Sequence, residues 1–328
     1  MDFDKLFSSF KDIKVAVIGD VMLDTYWWGK VDRISPEAPV PIVAVSKREE
    51  RIGGAGNVAL NIQALGASVS VISVVGKDAE AGLLKTLLNE NNINTDHLVN
   101  SAERITTNKI RIIGRNQQMM RLDAEITNSL SADDEQNLLS SFEAYIKKEN
   151  PAIVILEDYN KGVLTTTVIE KIITACKANN ILTAVDPKRK NFFAYQHVDI
   201  FKPNLHEAKE GLNIISDEVS DESLKNIHRA LHEKLQQNIS LITLSEKGVF
   251  YQQANEHLVI PTHIRSIADV SGAGDTVIAV ASVVYAATKD VRLMAEMANI
   301  AGGLVCEEVG TVAIDKKRLL EECKQLLN

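Results

Sequence analysis

With 328 residues, the chain is long enough for one large domain or two modest ones around a proper core. Hydrophobic residues make up 45% and charged residues 24%, and 17 glycines with 7 prolines fall below the share of low-complexity chains, which excludes disorder and collagen-like structure. The net charge of -8 excludes a global field that attracts nucleic acid or an anionic membrane, so an anionic ligand needs a local basic pocket. In chain order, the opening MDFDKLFSSFKDIK lacks the basic and apolar regions of a secretory signal. Lys14 to Gly19 reads as a buried strand. Thr25 to Ser46 then breaks from helical spacing, and Pro36, Pro39 and Pro41 exclude a helix there. Val58 to Leu65 predicts a helix, Val69 to Val75 a strand and Ala79 to Asn89 a helix. Arg104 to Asp123 alternates with period two, Ile110 and Ile112 against Lys109 and Arg111. Strands at Ala152 to Leu156, Ile181 to Asp186 and Ser240 to Leu244 follow, with helices at Thr165 to Ala178 and Ser223 to Leu235 between them. Helical patterns close the chain: Asp275 through Tyr285, Met294 to Val305 and Lys316 to Leu327.

Strands alternating with crossover helices predict a doubly wound α/β domain over residues 1–328 with a mostly parallel sheet. The segments 25–46 and 104–123 predict a small β-sheet inserted as a lid, suited to keeping water from a transition state. The apolar run Val277 to Ala287 is shorter than a spanning helix requires. Cys176, Cys306 and Cys323 are odd in number and far apart, as expected of reduced thiols in the cytosol.

The strongest motif is DVSGAGDT, Asp269 to Thr276. Gly272, Ala273 and Gly274 leave backbone N–H groups uncrowded at a helix N-terminus, where the helix dipole favours an anion. Asp275, held by those N–H groups, stays ionised and can accept a hydroxyl proton. Alone, the motif also fits an ordinary glycine turn before a helix. GGAGNVA, Gly53 to Ala59, reads as a second glycine turn in which Asn57 bonds a hydroxyl or caps the helix. NLHE, Asn204 to Glu207, is either a capping box or a pair that organises the waters of a phosphate-bound Mg²⁺. Asp24 follows the C-terminal end of the first strand, where open α/β sheets bind ligands, and is otherwise a turn aspartate. His228 and His232 stand four apart without a third metal ligand and read as a solvated helix face. Met119 and Met120 read as lid packing, and Trp27 with Trp28 as lid core or a partner surface.

GGAGN, NLHE, TLSEKG (Thr243 to Gly248) and DVSGAGDT occur in the order seen in ribokinase-like (PfkB) sugar kinases. RISPEAPVP (Arg33 to Pro41), RNQQMMRLD (Arg115 to Asp123) and DYNKG (Asp158 to Gly162) further resemble the kinase part of bacterial ADP-heptose synthesis enzymes, so the similarity covers essentially the whole chain. The resemblance implies phosphorylation of D-glycero-D-manno-heptose 7-phosphate at its anomeric hydroxyl by Mg-ATP, on the route to lipopolysaccharide or S-layer heptose. It implies Asp275 as base and Gly272 to Gly274 as anion hole. Asn204 and Glu207 match the Mg-ATP motif, Glu207 acting on the metal through water. Ser245, Lys247 and Gly248 fall in the nucleotide-binding hairpin, and Asn299 near the helix that borders adenine. Asp24, Gly53, Gly54 and Asn57 correspond to sugar contacts, and Asp269 to a backbone ligand of the monovalent cation, K⁺ as an activator, that many members bind. Bifunctional relatives carry a nucleotidyltransferase domain with an HxGH motif, absent here, so the adenylyl step is expected in another protein. GGAGN also stands where close relatives often have GGAAN.

A 7-phosphate needs local cations, and Lys109, Arg111, Arg115, Arg121, Lys161 and Lys188 are the candidates. Lys161 and Lys188, beside DYNKG and DPK, are expected to face it. The competing readings are a PfkB-type kinase for another sugar, sugar acid or nucleoside, and a non-catalytic sugar-phosphate sensor. Exposed lid strands with Trp27 and Trp28 predict a homodimer through the lid, in the cytoplasm, with no nucleic-acid or membrane partner.

Overall fold

The computed structural model describes residues 1–115, 117–216, 218–263 and 265–327. A short helix, α1 (Phe3–Ser9), leads into strand β1 (Lys14–Gly19), whose side chains alternate: Val15 and Val17 enter one core, Ala16 and Ile18 another. A continuous apolar run demands this, because water on either face would leave half of it solvated. The chain then leaves the body at once for a long hairpin, β2 (Val21–Ile34) and β3 (Pro41–Gly54). It returns through α2 (Ala55–Leu65), β4 (Ser68–Gly76), α3 (Ala79–Glu90) and β5 (Asn94–Ser101). A second excursion makes β6 (Thr107–Gly114) and β7 (Gln117–Ala124). After it come α4 (Ala132–Glu149), β8 (Ile153–Glu157), α5 (Thr166–Ala178), β9 (Leu182–Asp186), the two-residue β10 (Ile200–Phe201), α6 (Leu205–Gly211) and α7 (Asp221–Leu235). The strands β11 (Ile239–Thr243), β12 (Val249–Gln253) and β13 (Glu256–Ile260) and the helices α8 (Ala273–Thr288), α9 (Val291–Val305) and α10 (Lys316–Leu326) complete the chain.

The body is a nine-stranded sheet in the order β13-β12-β11-β10-β9-β8-β1-β4-β5, parallel except for the antiparallel pairs β11-β12 and β12-β13. One core lies under α1, α2, α3, α8, α9 and α10, the other under α4, α5, α6 and α7. The α/β expectation is met. Strands β5, β10, β12 and β13 and helices α1 and α4 fall outside the strands and helices picked out by apolar runs. β5, NTDHLVNS, is an edge strand with only two buried residues, Thr95 and Ser101, and β10 has only two residues, so neither offers a long apolar run.

The lid is a four-stranded sheet in the order β3-β2-β6-β7, with β2 parallel to β6 and the outer pairs antiparallel. Its first excursion extends further than 25–46, with strands from Val21 to Gly54, whereas the second, from Thr107 to Ala124, starts later than 104 and ends just beyond 123. Gly53 and Gly54 therefore end a lid strand, and Gly54 caps α2, so the glycine turn feeds a helix as expected and starts from the lid. Met119 and Met120, expected to pack, are 43% and 55% exposed, because β7 lies at the edge of a sheet open on that side. His228 is likewise no solvated helix residue. It is buried on α7 with Nδ1 2.9 Å from Ser240 Oγ, and burial pushes its imidazole down to about 4. All three cysteines are free and buried. Among the described residues no helix is long and apolar enough to cross a membrane.

Candidate active site

The parallel strands β1, β8 and β9 end side by side, and the residues that follow them meet the N-terminus of α8. Asp20, directly after β1, is buried and accepts backbone N–H groups of Tyr159, Lys161 and Val163 at 2.8, 3.0 and 3.1 Å. This carboxylate fixes the DYNKG loop after β8. Burial raises its pKa, while those N–H groups act in the opposite direction. Gly54 makes the same corner possible from the lid side: its φ of 59° is left-handed, and a Cβ there would lie 2.3 Å from the Asp20 carbonyl oxygen.

Asp275, in the first turn of α8, sits at the meeting point, 4% exposed. Asn57 Nδ2 donates to its Oδ2 at 2.6 Å and the Tyr159 hydroxyl to its Oδ1 at 2.7 Å. The expectation that backbone N–H groups hold this carboxylate is corrected: two side chains hold it, from α2 and from the DYNKG loop. Burial pushes its pKa up to about 6, against the pull of both donors, so it remains largely ionised at neutral pH. Asn57 lies inside α2, whose cap is Gly54, so it does not cap the helix. Asn61 Nδ2 donates to the Asn57 carbonyl, and Thr276 Oγ1 donates to Asn61 Oδ1, which stitches α2 to α8. Gly272 caps α8 with φ 81°, and a Cβ there would lie 2.9 Å from Asn57 Nδ2. Any larger residue would be strained and would press on the group that holds Asp275.

A cavity of about 730 Å³ opens beside this point. Gly272, Ala273, Gly274 and Asp275 line its floor, with Asn204, Glu207, Lys188, Ser245, Gly248 and Asn299 around them. Lys247 shares the short 3₁₀ turn Ser245–Lys247 without lining the cavity. Asn299 donates to the Pro261 carbonyl at 2.9 Å. Asn204 and Glu207 form a complete capping box on α6, each accepting the other's backbone N–H at 2.8 Å. Glu207 also takes Lys188 Nζ on Oε1 at 2.6 Å. The Asp269 carboxylate ties its own loop to the chain after α9 by accepting from Ser271 and from Gly310 N.

Lys188 and Lys161 have different surroundings. Lys188 bridges Asp186 at 3.2 Å and Glu207 at 2.6 Å on the cavity side, whereas Lys161 pairs with Glu125 at 2.7 Å on the lid side. Asp24 lies at the root of the lid, paired with Arg111 at 2.5 Å, and a Cβ on Gly53 would lie 2.5 Å from its Oδ2.

Four residues beyond the sequence expectations belong to this constellation: Tyr159, Glu157, Asp186 and Lys202. Their signal was positional, since each follows or ends a strand at the sheet edge where such folds bind ligands. Lys202 pairs with Asp186 at 2.8 Å. Burial alone would raise Asp186, but Lys202 and Lys188 outweigh it and hold the carboxyl below its ordinary range. Burial also opposes the charge on Lys188, and Asp186 with Glu207 reverses that, keeping it protonated. Glu157 is fully buried with no hydrogen-bond partner on either oxygen, and burial with Asp186 and Asp275 nearby raises its pKa well above the ordinary value. Ligand atoms of Glu157, Asp186 and Asp275 all lie within 4.8 Å of one another. This oxygen-rich set, with orphaned carboxylate oxygens, fits a hard divalent cation.

The pfkB family carbohydrate kinase model matches residues 12–318. The bifunctional protein HldE of Aliarcobacter butzleri is 41% identical over 315 residues, 95% of this chain and 64% of that protein, and HldE of Methylobacillus flagellatus is 40% identical over 310 residues, 94% and 62%. The chain thus spans slightly less than two thirds of the length of these relatives. Among solved structures, phosphofructokinase-2 from Escherichia coli in complex with potassium superposes with a TM-score of 0.80 at 17% identity, covering 96% of this chain and 100% of that one. Ribokinase from Arabidopsis thaliana with ribose and ATP superposes at 0.73 and 16%, covering 94% and 99%. These likenesses establish the same fold, and together with the family match over most of the length they lead to one conclusion: the chain belongs to the pfkB family of carbohydrate kinases.

Proposed function

We propose that the chain transfers the γ-phosphoryl group of ATP to the anomeric hydroxyl of D-glycero-D-manno-heptose 7-phosphate, giving the 1,7-bisphosphate and ADP in ADP-heptose precursor synthesis. The observation that carries the kinase chemistry is Asp275, oriented by Asn57 and Tyr159 beside the Gly272 to Gly274 helix start. In that arrangement Asp275 accepts the hydroxyl proton as the sugar oxygen forms its bond to the γ-phosphorus and the bond to the β–γ bridging oxygen breaks. The uncrowded N–H groups at the start of α8 face the developing charge, and Lys202, close to Gly274, adds a cation on the same side. Bound Mg²⁺ would supply charge neutralisation on the phosphates, held through its waters by Asn204 and Glu207 with Asp186 and Glu157 nearby. Lys188, tied to Glu207, orients that carboxylate. The same reading takes K⁺ as an activator at the Asp269 loop.

The heptose assignment is supported by the family-like segments at 33–41, 115–123 and 158–162 and by the HldE relatives. Retention of a positioned base argues against a sensor, because binding alone needs none. An ATP-consumption assay over sugars, sugar phosphates and nucleosides tests the reading: turnover is expected to be highest with heptose 7-phosphate. A different preferred acceptor would replace the substrate, and no turnover with any acceptor would favour the sensor. We further propose a homodimer through the lid. The lid face that carries Trp27, Ile110, Ile112, Met120 and Leu122 is apolar and partly open, which a second copy of the same sheet would cover.

A further inference from the structure

Side chains alternate along a strand, so the lid has a second face of opposite character. Asp24 of β2 lies opposite Arg51 of β3 and Lys109 of β6, while on β7 Asp123 lies opposite Lys109 and Arg121 opposite Arg111. The charges on this face are almost all committed to one another. Arg111 pairs with Asp24 at 2.5 Å, Arg51 with Glu49 at 2.7 Å and Arg121 with Asp123 at 2.8 Å, and Lys161 reaches in to pair with Glu125 at 2.7 Å.

Lys109 is the exception. The carboxylates that act on it, Asp24, Asp123 and Glu125, are each held by another cation. Among the described residues its ammonium makes no hydrogen bond or ion pair, and its close partner is the ring of Tyr159, 5.3 Å away at the centroid. Burial and the neighbouring Lys161 both push its pKa down. A half-buried ammonium beside a second lysine, with no anion of its own, is an unfavourable arrangement that an arriving anion relieves.

Tyr159 connects this charge to the chemistry. Its ring faces Lys109 and its hydroxyl donates to Asp275 at 2.7 Å. Lys188 also lies over that ring, 5.7 Å from its centroid, but it lines the cavity that Asp275 borders, whereas Lys109 belongs to the lid strand β6 and does not.

We propose that Lys109, supported by Lys161, binds the phosphate monoester at the end of the sugar remote from the reacting hydroxyl and so determines the preference for a phosphorylated sugar. The proposal rests on the kinase reading above and takes this role from Lys188, whose partners Asp186 and Glu207 put it with the nucleotide-side groups. An ammonium suits the task, since it meets a dianion as a compact charge with three donors.

The test is steady-state kinetics of the full chain and of Lys109→Met, Lys161→Met and Lys109→Arg, with heptose 7-phosphate, unphosphorylated heptose and ATP, alongside melting temperatures. Lys109→Met is expected to raise KM for the 7-phosphate roughly 10-fold or more, as loss of a charge-assisted hydrogen bond does. KM for ATP should stay within about 2-fold, and the preference for the phosphorylated sugar should shrink by a similar factor. Lys109→Arg, which keeps the charge, should retain most of that preference. An unchanged preference in folded Lys109→Met overturns the assignment while leaving the kinase reading intact. Should Lys109→Met melt far below the wild type, competition by inorganic phosphate against heptose 7-phosphate carries the test instead: weaker competition in Lys161→Met supports the pocket, and equal competition rejects it. A wild-type enzyme that turns over free heptose as well as its 7-phosphate removes the substrate reading itself, and this proposal with it.

Discussion

In the proposed role of base, Asp275 combines two demands that oppose each other, burial for a water-free transfer and a charge available to take a proton. Burial lifts its pKa to about 6, and the donors Asn57 and Tyr159 keep it from rising further. The active form is the carboxylate, so kcat/KM is expected to fall as the pH drops through about 6 and to be flat just above it. A pH–rate profile of the wild type checks this. Because Asn57 lowers the pKa, Asn57→Ala should move the acid limb upward by roughly one pH unit, the effect of losing a hydrogen bond to a charged group. A limb that stays in place would mean that Asn57 holds only geometry. Asp275→Asn keeps the shape and removes the proton acceptor. Its kcat should drop at least ~100-fold while ATP binding is largely retained, as single-turnover and nucleotide-binding measurements would report.

Helix α6 carries two roles on the same residues. Its capping box is complete, so the plain structural explanation of NLHE holds, yet Glu207 also faces the cavity and binds Lys188. Glu207→Gln separates the roles, because glutamine can still accept the Asn204 N–H. A merely structural Glu207 predicts an unchanged Mg²⁺ dependence. The functional one predicts that half-maximal activity needs several-fold more Mg²⁺ with little loss of melting temperature, and a Mg²⁺ titration of activity decides between them. At the same scale, β2 and β3 show how the lid and the residues around Asp275 are joined in the chain. Strand β3 ends at Gly54, and α2 with Asn57 begins at Ala55, so the lid's root and the residue that donates to Asp275 are contiguous in the chain.

Across the whole molecule, the nine-stranded body brings the strand ends to one edge and the lid stands beyond them, charged on one face and apolar on the other. Light scattering at working concentration should give the mass of a dimer, and Met120→Lys combined with Leu122→Lys should lower it toward that of a monomer. A monomeric wild type would sink the lid-dimer proposal.

The amino-acid sequence by itself determined the α/β alternation of the longer strands and helices, the existence of the two lid excursions and the separate motifs, since period-two and helical spacings and glycine turns are local features. β5, β10, β12, β13, α1 and α4 fall outside the elements that those spacings pick out. It also carried Asp275, Asn204 and Glu207 as candidates. What it left open was which groups touch. Asn57 and Tyr159 lie 218 and 116 residues from Asp275, and only the packing of α2, α8 and the loop after β8 brings them within hydrogen-bond distance. The pairing of charges was equally out of reach: Lys188 and Lys161 look alike beside their motifs, and Lys109 looks like any surface lysine. The carboxylates that take up Arg111, Lys161 and Lys188 arrive from other elements, so only the tertiary structure decides which cation keeps a charge for a ligand.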